Sequence, residues 1–158
     1  MKVRILAVGR LKEDYLRAAA ADYAARLKPY LRLEITEVPD LPDPPQASPA
    51  AVDKVKEEEA AALLGRLEPA ETLIALDARG QMMDSEELAE FLRPYFARGG
   101  RLAFALGGSH GLGRAVLARA DFVLSLSPLT FPHGLARVIL LEQLYRAVKI
   151  IRGEKYHK

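Results

Sequence analysis

The sequence has no cysteine, no tryptophan and no asparagine, and only three histidines. Without cysteine there is no disulfide, no thiolate-ligated zinc or iron–sulfur cluster, and no thiol nucleophile. His110, His133 and His157 lie more than twenty residues apart and form no His-x-x-x-His pair, so no metal site is expected. No apolar run approaches the roughly 18 residues of a membrane span. The apolar stretch inside MKVRILAVGRLK is too short for a secretory signal and is charged on both sides. A soluble, cytoplasmic protein is expected. Lack of Asn, with ten prolines, fits a heat-adapted chain and a GC-rich genome equally well. Neither sign of charge dominates, with 23 Lys and Arg against 21 Asp and Glu. A net charge of +2 permits an anionic partner without demanding one.

What is present is an α/β pattern. At 158 residues and 50% hydrophobic composition, the chain suits one domain with a real core, residues 1–158. Buried strands are expected over Lys2–Val8, Leu31–Val38, Glu71–Leu76, Arg101–Leu106 and Asp121–Ser125. Helices are expected over Lys12–Leu27, Ala51–Leu67, Ser85–Tyr95, Leu112–Ala120 and Gly134–Ile151. In the first helix Tyr15, Leu16, Ala19, Tyr23 and Leu27 fall at helical spacing. Five prolines between Pro39 and Ala50 forbid both helix interior and central strand there. Asp84 with Glu87 three residues on reads as a capping box, and Asp77-Ala78-Arg79-Gly80 reads as a turn. Alternating strands and helices argue a mostly parallel sheet flanked by helices. Ligands of such sheets bind beyond the carboxyl ends of the strands. Three loops qualify: those after Leu76, Leu106 and Ser125.

The second of these holds Gly107-Gly108-Ser109-His110-Gly111. It matches G-x-S-x-G, the turn that exposes a serine nucleophile between strand and helix. Asp121 and then His133 or His157 would supply the acid and base in the order a hydrolase needs. The other reading is that the glycines are the point, because Gly107, Gly108 and Gly111 let backbone amides approach a ligand closely. The sheet is smaller than such hydrolases use, which favours the glycines. Neither G-x-G-x-x-G in register nor G-x-x-x-x-G-K-[ST] occurs, so the common dinucleotide and phosphate-loop fingerprints are absent.

Positive charge collects at the end. Arg137, Arg146, Lys149, Arg152, Lys155 and Lys158 stand against only Glu142 and Glu154. Glu142, Arg146, Lys149 and Arg152 fall along one stripe of the last helix, with Glu142 and Arg146 four apart and in the favourable order for an ion pair. The other positions are apolar around more than half the circumference. Such a helix needs cover on two sides, from the core or from a second subunit.

SLSPLTFPHGLARVILLEQLYRAVKIIRGEKYHK, residues 125–158, closely resembles the C-terminal signature of the ribosomal large-subunit methyltransferase H family. KVRILAVGRLK, LDARG and the glycine loop fall where that family has them. The loop is often Gly-Gly-Pro-Glu-Gly in the family; here Ser109 and His110 fill its middle. The resemblance implies a single SPOUT-type domain with a C-terminal deep trefoil knot, the cofactor site and knot lying in roughly 71–158. It implies S-adenosyl-L-methionine as cofactor and methylation of N3 of a pseudouridine in 23S rRNA. The partners it implies are rRNA within the assembled ribosome and a second copy of the chain, with neither DNA nor membrane. Leu76, Gly108, Ser127, Pro128, Leu129, Thr130, Phe131 and Pro132 would surround the cofactor. His157, Glu142 and a Tyr156-assisted water are candidates for taking the N3 proton, with His157 favoured. Arg137, Arg146 and Lys158 would hold phosphate or neutralise the developing anion, and Tyr156 could stack on the base. A knotted methyltransferase for another RNA and a nonenzymatic ribosome-binding factor are the alternatives.

Overall fold

The computed structural model describes residues 1–157. Five strands form one sheet in the order β2-β1-β4-β3-β5, every pair parallel. They are β1 (Lys2–Val8), β2 (Arg32–Val38), β3 (Thr72–Met82), β4 (Arg101–Leu106) and β5 (Phe122–Ser125). The intervening helices are α1 (Asp14–Leu27), α2 (Pro49–Leu64), α3 (Ser85–Ala97), α4 (Arg114–Arg119) and α5 (His133–Ile151). Residues alternate between the two faces along each strand. Val3, Ile5 and Ala7 of β1 join Phe104 and Ile74 in a core under α1, α3 and α5. Leu6 and Val8 join Ala75, Ala103 and Ala105 in a second core under α2 and α4. The central strands β1 and β4 are buried on both faces, which explains why they read as continuous apolar runs, whereas edge strand β2 alternates and is partly exposed.

Helix α5 packs between α1 and α3, so the chain itself covers its apolar sides. Gly134 permits the close approach at its first turn, where a Cβ would stand 2.9 Å from Leu16 Cδ1. Among the described residues no helix is long and apolar enough to cross a membrane.

Several boundaries differ from the sequence expectation. Pro49 opens α2 instead of ending the loop: it stands at the first helical position, where proline has no hydrogen bond to lose, and Ser48 caps the helix by accepting from Ala51 N–H at 3.2 Å. Helix α3 runs past Pro94 to Ala97. The largest difference is in β3. It continues to Met82, and Leu76 and Gln81 both pair with Leu124, so residues 77–80 are extra to the ladder. The expected turn is therefore a bulge within one strand. Gly80 permits it, since a Cβ there would stand 2.7 Å from Val123 O. Tyr15, expected among the core positions of α1, is 71% exposed.

Candidate functional site

The bulge within β3 and the loops after β4 and β5 converge with the start of α5 around one cavity of about 420 Å³. Each loop is fixed by local chemistry. In the β3 bulge, Asp77 Oδ1 accepts from Arg79 N–H at 2.9 Å and from Arg79 Nε at 3.2 Å, and Ser125 Oγ donates to Ala78 O at 3.1 Å. Burial raises the Asp77 pKa, but the Arg79 hydrogen bonds and charge outweigh it and hold the carboxyl below its ordinary value. After β4, the chain turns back on itself. Gly111 N–H donates to Gly108 O at 3.1 Å, and Gly111 has φ +80°. A Cβ on Gly107 would stand 2.3 Å from Gly111 C, so no other residue fits. After β5, Ser127 Oγ accepts from Leu129 N–H at 3.0 Å and starts the proline-flanked loop.

Leu76, Gly108, Ser127, Leu129, Thr130 and Phe131, all expected at the cofactor, line this cavity. Pro128 and Pro132 do not; they flank the lining residues, and Pro132 precedes the first residue of α5. Asp77, Arg79, His133 and Ala136 also line it and were not anticipated. The LDARG run held the signal for the first two, hidden because a turn was read where the strand continues.

Ser109 is exposed at the tip of the glycine turn. No non-glycine residue among those described has positive φ, so the strained serine elbow is not formed. His110 Nε2 bonds Asp43 Oδ1 at 2.6 Å, and Asp121 Oδ2 accepts from Leu73 N–H at 2.7 Å. Among the described residues no hydrogen bond joins Ser109 to His133, His157 or Asp121, the expected base and acid, and the hydrolase reading falls.

Glu142, Arg146, Tyr156 and His157 come together at a second place. Glu142 Oε1 accepts from Arg146 Nη2 at 2.6 Å, Arg146 Nε at 3.1 Å and Tyr156 OH at 3.1 Å. Arg146 Nη1 stands 3.4 Å from His157 Nδ1, and its guanidinium lies 4.8 Å from the Tyr156 ring centre. The tail is held in place. Gly153 turns it at φ +66°, and Glu154 takes Tyr30 OH at 2.6 Å and pairs with Lys149. Tyr156 packs edge-on against Tyr145 with ring centres 4.8 Å apart. Burial, helped by Tyr23 and the Glu142 carboxylate, pushes the Tyr156 hydroxyl well above its usual pKa, so it acts as a donor and not as a base.

Arg137 is the exception. It was expected beside this group, yet its side chain is 2% exposed. Nη1 bonds Glu37 Oε1 at 2.5 Å and Nη2 bonds Gly9 O at 2.9 Å. It ties α5 to the carboxyl ends of β1 and β2 and offers no free Nη to RNA. Lys158 lies outside the described residues.

A family model described as predicted SPOUT methyltransferase matches residues 1–157. The chain belongs to this family. Its fold is shared by a probable methyltransferase from Bordetella pertussis Tohama I, with TM-score 0.58 and 22% identity over 92% of this chain and 93% of that one. A probable methylase family protein from Haemophilus influenzae Rd KW20 also shares it, with TM-score 0.58 and 14% identity over 99% of this chain and 70% of that one. SPOUT methyltransferases generally use S-adenosylmethionine. The cavity suits such a group: a glycine turn brings main chain to its wall, and Leu76, Leu129 and Phe131 provide an apolar surface for an adenine ring.

Proposed function

We propose that this SPOUT methyltransferase methylates N3 of a pseudouridine in 23S rRNA, on the assembled ribosome, as a cytoplasmic homodimer. The observation that carries the chemistry is the cavity that three carboxyl-end loops build around the glycine turn. Leu76, Gly108, Ser127, Leu129, Thr130 and Phe131 would hold the cofactor, whose part is to supply a methyl group on a sulfonium. Pro128 and Pro132 stiffen the loop and lower the cost of ordering it.

The acceptor nitrogen carries a proton that must leave. Glu142 is occupied by three donors, which suits it to orienting Arg146 and Tyr156. His157 is exposed, and Arg146 Nη1 points to its Nδ1. With Nδ1 accepting from Arg146 the ring proton sits on Nε2, so Nδ1 takes the N3 proton only once Arg146 Nη1 has turned from it to the substrate. Arg146 then faces the anion left behind.

Ala136 lines the cavity, while Glu142 and Arg146 lie six and ten residues further along α5, about 9 and 15 Å at 1.5 Å per residue. That exceeds the reach of a methyl transfer, in which reacting atoms start about 3–3.5 Å apart. A second copy bringing its tail to this cavity resolves the separation. Exposed Tyr15, Leu129 and Leu135 are apolar surface for such a contact, Leu129 on the cavity itself.

The test is methyl transfer from labelled S-adenosylmethionine to intact ribosomes, separate subunits and naked rRNA from a strain lacking this gene, with the labelled nucleotide mapped by mass. Label on one pseudouridine of assembled ribosomes is expected. His157→Ala should lower that rate by about 10²- to 10⁴-fold, the range of a lost general base. Label on another RNA overturns the substrate and leaves the knotted methyltransferase alternative. No label and no cofactor binding overturn the enzyme reading in favour of a ribosome-binding factor.

A further inference from the structure

Glu59 is the one carboxylate of the Glu57-Glu58-Glu59 run that is buried, at 5% exposure. It lies on the inner stripe of α2, four residues from Val55 and from Leu63. Its Oε1 accepts from Leu41 N–H at 3.2 Å, in the proline segment, residues 39–48. Its Oε2 points at the glycine turn: a Cβ on Gly108 would stand 3.3 Å from it and 3.4 Å from Asp40 Oδ1. Two carboxyl groups therefore back onto the same cavity-lining glycine. On the outer side, His110 of the turn reaches Asp43 of the proline segment at 2.6 Å. The titratable groups facing Glu59 are Asp40 and Asp43 from the segment and His110 from the turn. Burial pushes the Glu59 carboxyl up, Asp40 and Asp43 push the same way, and the Leu41 N–H and His110 oppose them.

We propose that Glu59 is a positioning residue that clamps the proline segment to the back of the glycine turn and so holds Gly108 in the shape that receives the cofactor. Protonated, it accepts from Leu41 N–H with one oxygen and carries no charge into its buried place. Ionised, it is a charge at 5% exposure, with exposed Asp40 adding a like charge nearby. The sign follows from linkage. The folded clamp binds the proton more tightly than the open chain, so its stability is full at acid pH and falls as pH rises through the raised value. The proposal rests on the cofactor reading of the cavity, yet it can be read in the protein without cofactor.

Carboxyl and amide NMR titration of the whole protein, from pH 5 to 8.5, reads the clamp directly. The Glu59 carboxyl should titrate above the ordinary glutamate range, and the amides of Gly107 through Gly111 should follow the same curve. Calorimetry with S-adenosylmethionine over that range should show affinity falling with pH, about tenfold per unit of differential proton binding. Glu59→Gln, which imitates the protonated acid, should keep the affinity of the low-pH wild type and lose most of the slope. His110→Gln should keep most of the slope, and Asp40→Asn should weaken it. A flat profile in wild-type protein, or one that Glu59→Gln leaves unchanged, overturns the clamp. If wild-type protein binds no cofactor at any pH, the calorimetry overturns the methyltransferase reading, while the amide titration alone still decides the clamp.

Discussion

The two ends of the sheet use charge in opposite ways. At the amino end, Lys2 and Arg4 of β1 and Arg101 of β4 meet Glu34, Glu68 and Glu71 in one network. Arg4 is 6% exposed and Glu71 fully buried, 2.9 Å apart. Arg4 also donates to Arg66 O at 2.8 Å. At the carboxyl end the loops leave main chain and apolar side chains around a cavity, and the charges stand at its edge (Arg79) or behind its wall (Glu59, Asp40). Paired charge holds strands together at one end, and open backbone surrounds a cavity at the other. The difference teaches that burial of a charged residue says little by itself. Arg4 and Glu71 are buried in mutual contact, whereas Glu59 is buried with a backbone N–H and no cation as its hydrogen-bond partner, and burial pushes its carboxyl up.

The comparison breaks most strongly at its amino end. Glu71→Ala removes the buried partner of Arg4, leaving it with Glu34 and the Arg66 carbonyl, and should cost about 3 kcal/mol, the low end for a broken buried pair, read as a lower urea midpoint. Cofactor affinity of the remaining folded protein should be unchanged, and a parallel loss of affinity would show that the ends are not independent. Gly107→Ala is the carboxyl-end counterpart. The methyl must move Gly111, at about 1–3 kcal/mol, and calorimetry should show cofactor binding largely gone. Asp84→Ala removes the capping box of α3, where Glu87 N–H and Asp84 N–H are each satisfied at 2.8 Å. It should cost about 1 kcal/mol in thermal unfolding, with little effect on affinity. The smallest effect is Ser109→Ala. The residue is exposed and outside any hydrogen-bond relay, so stability should stay within about 0.5 kcal/mol and methyl transfer within twofold. A large loss of activity would restore a chemical role for that serine.

Much of this architecture was legible in the sequence. Five strands, the Asp84 cap and the three carboxyl-end loops follow from apolar runs, from a local side-chain signal and from the rule that parallel sheets bind at their carboxyl ends. Four features were not. The β3 bulge reads as a turn because Asp77-Ala78-Arg79-Gly80 has turn composition; only the passage of Val123 beside Gly80 shows that the strand goes on. The end of α3 lies at Ala97 and not at the expected Tyr95, with Pro94 carried one turn before it. Arg137 reads as a surface cation because its partners, Glu37 and Gly9, are about a hundred or more residues away. Glu59 reads as one of three solvated acids, and its spacing from Val55 and Leu63 was the available signal that it turns inward. Local chemistry survives translation from sequence to structure better than distant pairing does.

The same long separations set an order of assembly. Helix α5 rests against α1, and Arg137 closes on Gly9 O across 128 positions. During synthesis α1 must wait, with its inner face uncovered, until the last helix has left the ribosome. Parallel pairing between β1 and β4 imposes a similar delay, since each contact joins residues about a hundred apart. The nascent chain therefore carries half-built surfaces for most of its synthesis, the period in which aggregation competes with folding.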